Sequence, residues 1–355
     1  MPLNWLFMCL FWCKLLIMLI PFSILDLAHV PEGKTPADSF SASVALAQKA
    51  EDTGYNRVWY AEHHGMAGVA SSATSVLIGH VANHTKSIRL GSGGIMLPNH
   101  APLLIAEQFG TLATLHPGRI DLGLGRAPGG DQTVMRAMRK DLHRAANEFP
   151  TDVQELLGYL ASPASDDDRM PVRAVPGEGT EVPVWILGSS LFGAQLAAQL
   201  GLPYAFASHF APAELFRAVD IYRRQFKPSK YLEKPYFMMA CNVFAADTDE
   251  EAHYHFTSLI QAFVRMVTGQ RGQLPPPVEQ LEIHPAVGQQ IEGMLQISAV
   301  GNVETVAERL GRICEKVEPD EVIISKSFYG QSARLKSVEL TAEVRARMSV
   351  IPSAA

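Results

Sequence analysis

From residue 21 onward the chain alternates short β-rich runs with longer runs of helical period, and that rhythm limits the fold more than any other feature. Phe22–Leu27, Arg57–Ala61, Ile88–Met96, Ile120–Leu124, Val182–Leu187, Tyr204–Ser208, Tyr236–Ala245 and Glu321–Ser325 read as strands. Pro36 opens a helix whose Phe40, Val44 and Ala47 share one face, with Gly54 placed as its C-terminal stop. Further helices are expected over Ser72–Asn83, Ala101–Leu115, Leu191–Leu200 and Pro212–Gln225, from near Asp249, and at the C-terminus. Val303, Val306, Ala307, Leu310, Ile313 and Val317 form the cleanest amphipathic stripe in the chain.

Strands alternating with helices imply parallel βαβ units, and eight such units close a barrel. The expected fold is therefore α/β, a single (β/α)8 TIM barrel over residues 21–355. Insertions are expected after strand four (127–150 and 162–180) and before strand eight (268–300, with Gln273-Leu274-Pro275-Pro276-Pro277). Either 127–150 or 268–300 is a candidate lid. A doubly wound open sheet is the alternative, but no G-x-G-x-x-G follows the first strand.

The chain has 355 residues, 47% of them hydrophobic and 19% charged, enough apolar material for a large core. A net charge of −6 and the absence of a basic run argue against a nucleic-acid partner. Cys9, Cys13, Cys241 and Cys314 are too scattered for a disulfide framework or a zinc site, and a reducing, cytoplasmic setting is expected.

Met1 to Ile20 is nearly all apolar and approaches the length of a membrane span. No positive charge precedes the run, Lys14 interrupts it, and no small-residue cleavage site precedes Pro21. The favoured expectation is an extension outside the native protein, with an internal start at Met18. A membrane anchor is the alternative.

In an eight-fold barrel the active site gathers at the C-terminal ends of the strands. Glu62-His63-His64 follows strand two; a lone histidine there suits proton transfer, while adjacent histidines on extended chain diverge and suit a shared metal poorly. Ser92-Gly93-Gly94 is either a bulge or a place where a flat ring meets bare backbone. Arg126 follows strand four and suits a forked grip on phosphate. Gly188-Ser189-Ser190 stands at a helix start, where free N–H groups attract anions. Together the last two suggest a phosphorylated ligand.

Several collinear segments resemble the bacterial-luciferase-like monooxygenases. They are Gly54-Tyr55-Asn56-Arg57-Val58-Trp59-Tyr60-Ala61-Glu62-His63-His64, Leu90-Gly91-Ser92-Gly93-Gly94-Ile95-Met96-Leu97-Pro98, Ala106-Glu107-Gln108 and His116-Pro117-Gly118-Arg119-Ile120-Asp121-Leu122-Gly123-Leu124-Gly125-Arg126. Later come Ile186-Leu187-Gly188-Ser189-Ser190, Gly201-Leu202-Pro203 and Val300-Gly301-Asn302. The resemblance runs from Pro21 to the C-terminus.

It implies reduced FMN from a separate NAD(P)H:flavin reductase, reaction with O2 to a flavin C4a-hydroperoxide, and oxygenation of a small organic substrate. By resemblance, His63 is the acid/base beside the flavin, and Gly93-Gly94 is a non-prolyl cis peptide beneath its ring. Arg126, Ser189 and Ser190, with Gly188, match the phosphate contacts; Glu62, His64 and Ser92 are further candidate cofactor-binding residues. A homodimer is expected on the same ground. Gly125 stands where light-emitting members have cysteine, which speaks against bioluminescence. The alternatives are a deazaflavin (F420)-dependent dehydrogenase or reductase on the same barrel, and a non-catalytic flavin-binding protein. No metal is expected.

Overall fold

The computed structural model describes residues 20–127, 132–138, 142–270 and 272–348. The expected N-terminal extension, with Cys9 and Cys13, lies outside the described residues except for Ile20. No described helix is long and apolar enough to cross a membrane. The two described cysteines, Cys241 and Cys314, are buried and free.

Eight parallel strands close into a ring: β1 (Phe22–Asp26), β2 (Arg57–Tyr60), β3 (Arg89–Met96), β4 (Ile120–Gly125), β5 (Val184–Gly188), β6 (Tyr204–Phe206), β7 (Phe237–Ala245) and β9 (Glu321–Ser325). The ring closes where β9 pairs with β1, Ile24 opposite Ile324. The open-sheet alternative is thereby excluded. Around the barrel run α1 (Pro36–Asp52), α2 (Thr74–Ala82), α3 (Pro102–Leu115), α4 (Gln132–Ala137), α5 (Leu142–Leu160), α6 (Leu191–Leu200), α7 (Leu215–Gln225), α8 (Asp249–Val267), α9 (Pro285–Met294), α10 (Val303–Val317) and α11 (Gln331–Met348).

Local chemistry explains the helix boundaries. Thr35 and Asp38 form a reciprocal capping box with Pro36 in the first turn of α1. Gly54 follows that helix at φ +75°, a conformation open to glycine. Asn302 accepts from the Thr305 N–H to start α10, and all six residues of its predicted apolar stripe are buried.

One element departs from expectation. The end of the 268–300 insertion is a ninth strand, β8 (Ser298–Gly301), parallel to the upper half of β7. The lower half of β7, Met238–Asn242, pairs with β9. The nine-residue β7 thus outruns its barrel neighbour, and β8 satisfies the backbone groups left over. Lower down the same insertion, Leu274 exchanges hydrogen bonds with Val30 and Glu32 (both 2.9 Å), and Arg265, near the end of the preceding helix α8, pairs with Glu32 at 2.7 Å. The insertion is therefore tied to the loop after β1, at the C-terminal mouth.

The barrel interior is packed rather than hollow. Leu25, Trp59, Trp185, Met238 and Ile323 fill it, with Trp59 and Trp185 edge to face at 5.1 Å. Gly91 sits opposite Trp59 in the ladder, and a Cβ there would meet the Trp59 Nε1 at 2.8 Å. Gly91 and Gly93 of β3 thus make room for the Trp59 indole. Near the N-terminal end of the barrel, the Arg57 guanidinium bridges Asp121 (2.8 Å) and Glu321 (2.9 Å), all three buried. Tyr236 and Asn56 donate to the same Glu321 carboxylate. Burying these charges is tolerable because each is paired and further hydrogen-bonded.

Candidate active site

The C-terminal mouth collects His29 just after β1, Glu62 to His64 after β2, Arg126 after β4, Ser189 and Ser190 after β5, and His209 after β6.

Glu62 organises the β2 and β3 side of the mouth. Its buried carboxylate accepts from His64 Nε2 (2.7 Å), His100 Nε2 (2.9 Å), Asn99 Nδ2 (3.2 Å) and the Met96 N–H (3.0 Å). Burial alone would raise its pKa, but the hydrogen bonds from His100 and His64 outweigh that and hold it down at about 2. The carboxylate is saturated by protein donors, and it fixes His64 and His100 in turn. Both rings thus commit Nε2 to Glu62.

His63 is different. Its Nδ1 hydrogen-bonds the Glu62 carbonyl, which makes Nδ1 the protonated nitrogen and leaves a lone pair on Nε2. Burial lowers its pKa below the ordinary histidine value, so the ring is neutral near pH 7. No described residue engages Nε2. The mouth therefore contains an oriented, neutral base.

The Gly93–Gly94 peptide bond is cis. Between Ser92 and Ile95 the register with β4 shifts, so the segment is a bulge. A Cβ on Gly93 would lie 2.8 Å from Leu25 Cδ1, and one on Gly94 2.8 Å from the Gly123 carbonyl oxygen. These glycines are required by packing inside the protein. Ser92 is likewise turned inward: its hydroxyl donates to the Gly123 carbonyl (2.9 Å) and accepts from the Gly123 N–H (3.0 Å).

On the other side of the mouth, Ser190 is the N-cap of α6, and its hydroxyl makes no cap bond. Neither Ser189 nor Ser190 spends its hydroxyl on a described residue, and a Cβ on Gly188 would enter open space. The Arg126 guanidinium is exposed and lies over the ring of Phe192, in the first turn of α6, with Cζ 4.1 Å from the centroid. Two hydroxyls, a helix N-terminus and a guanidinium without a carboxylate partner among the described residues thus lie near one another beside Gly188. That donor set suits a phosphate monoester.

Along the chain, the luciferase-like monooxygenase profile matches residues 20–317. The chain belongs to the luciferase-like monooxygenase family. It is similar to a protein of Escherichia coli (strain K12) named luciferase-like monooxygenase, with 51% identity covering 92% of this chain and 97% of that one. It is also similar to the N-acetyl-S-alkylcysteine monooxygenase of Bacillus subtilis (strain 168), with 35% identity covering 86% and 92%. Among solved structures it resembles apo-MsnO8, with 33% identity, a TM-score of 0.84, and coverage of 92% and 98%. Members of the luciferase-like family are monooxygenases, which makes an oxidoreductase the reaction class supported here.

Three mouth residues of this luciferase-like barrel were not picked out by sequence: His29, His100 and His209. His29 Nε2 lies 2.9 Å from the Ser327 hydroxyl, and burial, then the Arg334 charge, lowers its pKa to about 4. His209 follows β6 by three residues, and burial, then His63, lowers its pKa to about 4. Both stand just past a strand end, so the rule that pointed to His63 also covers them when applied to strands one and six. His100 lies beyond the short helix after β3, and its tie to Glu62 has no sequence signal.

Proposed function

We propose that the protein is a flavin-dependent monooxygenase that takes reduced FMN at this mouth and oxygenates a small organic substrate with O2. The observation that carries the reading is the convergence of Arg126, the two free serine hydroxyls and the α6 N-terminus beside the open space at Gly188. Kinship with a named N-acetyl-S-alkylcysteine monooxygenase supports oxygenation of a small organic compound.

Reduced FMN, when bound, would supply the activation of O2. The chain's own tasks are then to hold, to exclude water and to manage a proton. Arg126, Ser189 and Ser190 would hold the phosphate, and the rigid bulge at Ser92 to Gly94 would wall the ring side. His63 would accept or return a proton at Nε2, its orientation set by the Glu62 carbonyl. The insertion tied down at Leu274 would help keep the mouth dry. The reduced cofactor would come from a separate flavin reductase, and the protein would work as a homodimer in the cytoplasm.

Oxygen uptake tests the reading. With NADH, FMN and a flavin reductase, the protein should couple O2 consumption to an oxygenated organic product. Turnover with F420 and an alcohol, in the absence of any FMN-dependent product, would overturn it.

A further inference from the structure

The mouth has a second imidazole set opposite the first. In the barrel ring β2 and β6 are separated by three strands on either side, so His63 and His209 stand across the opening from each other. His209 is held in place by its surroundings. Its carbonyl accepts from Asn242 Nδ2 at 2.6 Å, the neighbouring Ser208 hydroxyl donates to the Ala240 carbonyl at 2.6 Å, and its ring packs edge-on against Phe210 at 4.9 Å. Its Nδ1 is fully buried with no partner among the described residues. Its Nε2 has no described partner either, and it is not among the buried orphan atoms, so it is the accessible nitrogen.

This asymmetry chooses the tautomer. A neutral imidazole has one N–H, and placing it on the buried Nδ1 would strand a donor with no acceptor. Placing it on Nε2 leaves the donor open to whatever enters the mouth. His63 has the opposite arrangement, with Nδ1–H committed to the Glu62 carbonyl and the Nε2 lone pair free.

The geometry points to His209 as a substrate-contacting hydrogen-bond donor, paired across the mouth with the acceptor His63, and to a substrate bearing a neutral acceptor oxygen such as a ketone or amide carbonyl. Charged substrates suit the pair less well. An ammonium would need a carboxylate, but Glu62 is saturated and Asp26 is committed to Arg334, Ser43 and the Ala28 N–H. A carboxylate would need a cation, but both rings are neutral near pH 7 and Arg126, the exposed cation of the mouth, is the one placed for the phosphate. The inference rests on the proposed monooxygenase reading only in taking this mouth as the reaction site.

The test uses the whole protein labelled with 15N-histidine and needs no cofactor. Long-range 1H–15N correlation at pH 7, assigned by the loss of signals in His209→Gln and His63→Gln, should show His209 as the neutral Nε2–H tautomer and His63 as the neutral Nδ1–H tautomer. Cyclohexanone, cyclohexylammonium and cyclohexanecarboxylate are then titrated separately. Cyclohexanone should shift the His209 Nε2 signal most. Its affinity should fall about 10-fold in His209→Leu and stay within about 3-fold in His209→Gln, which keeps an N–H donor. A Nδ1–H tautomer or imidazolium at His209 would overturn the inference, as would a larger response to either charged probe or no response to any. The labelled wild type decides the tautomer even if a variant fails to fold. Failure of the flavin reading would leave a different mark, namely no FMN binding with the histidine tautomers unchanged.

Discussion

The Arg126 guanidinium lies over the ring of Phe192, its Cζ 4.1 Å from the ring centroid, so a cation from the end of β4 is parked on the first turn of the helix after β5. The contact keeps the charge near two free hydroxyls without spending its N–H donors. Arg126→Ala should therefore weaken FMN binding by about 10- to 100-fold, the range expected for charge-assisted hydrogen bonds. Riboflavin, which lacks the phosphate, should bind wild type and variant alike. Fluorescence titration of both ligands checks the difference.

Glycines at the mouth should separate into packing and ligand positions. A Cβ on Gly123 would meet the Ser92 carbonyl oxygen at 2.3 Å, whereas one on Gly188 would meet nothing within 4 Å. Gly123→Ala is expected to destabilise the fold by about 1–3 kcal/mol. Gly188→Ala should leave stability within about 0.5 kcal/mol of wild type and lower the affinity for FMN. Thermal unfolding measured beside ligand titration distinguishes the two effects.

Glu62 sets an acid limit on stability. Its pKa falls from 4.5 to about 2 on folding, because hydrogen bonds from His100 and His64 outweigh the opposing effect of burial. A carboxylate depressed in this way contributes stability that is full above its unfolded pKa and lost as the pH drops from about 4.5 toward 2. The contribution is on the order of 3 kcal/mol. Glu62→Gln should lose about that much at pH 7, and the gap to wild type should close at low pH. Urea unfolding at pH 7, 5 and 3 would show it.

Arg57 holds two carboxylates together inside the barrel, so removing it leaves Asp121 and Glu321 buried without their main counter-charge. Arg57→Met should destabilise by about 3–5 kcal/mol. Adding Glu321→Gln to that variant should recover part of the loss, a coupling that a double-mutant cycle measures.

The rhythm of strands and helices made the barrel legible because each unit carries its own period and its own stop signals, as at Pro36, Gly54 and Asn302. β8 was missed because its four residues earn strand status only by completing the long β7. At the mouth, Arg126 and the Gly188-Ser189-Ser190 run were readable because each stands next to a strand end, and folding brings them together through Phe192. The roles of Gly93 and Gly94 were only half readable. The sequence left a bulge and a bare platform open, and the contacts with Leu25 and the Gly123 carbonyl account for the glycines by packing. The saturation of Glu62 was hidden because Asn99 and His100 reach it from the end of another strand. The buried Arg57–Glu321 pair joins residues 264 apart in sequence, a separation no local pattern reveals.

The most direct test of the account is anaerobic titration of the apo-protein with reduced FMN, followed by rapid mixing with O2 and recording of absorbance. Stoichiometric binding, with an oxygen-dependent transient whose lifetime exceeds that of free reduced FMN in air and is shortened by His63→Ala, is the predicted result. No binding, or oxidation indistinguishable from that of free flavin, would contradict it.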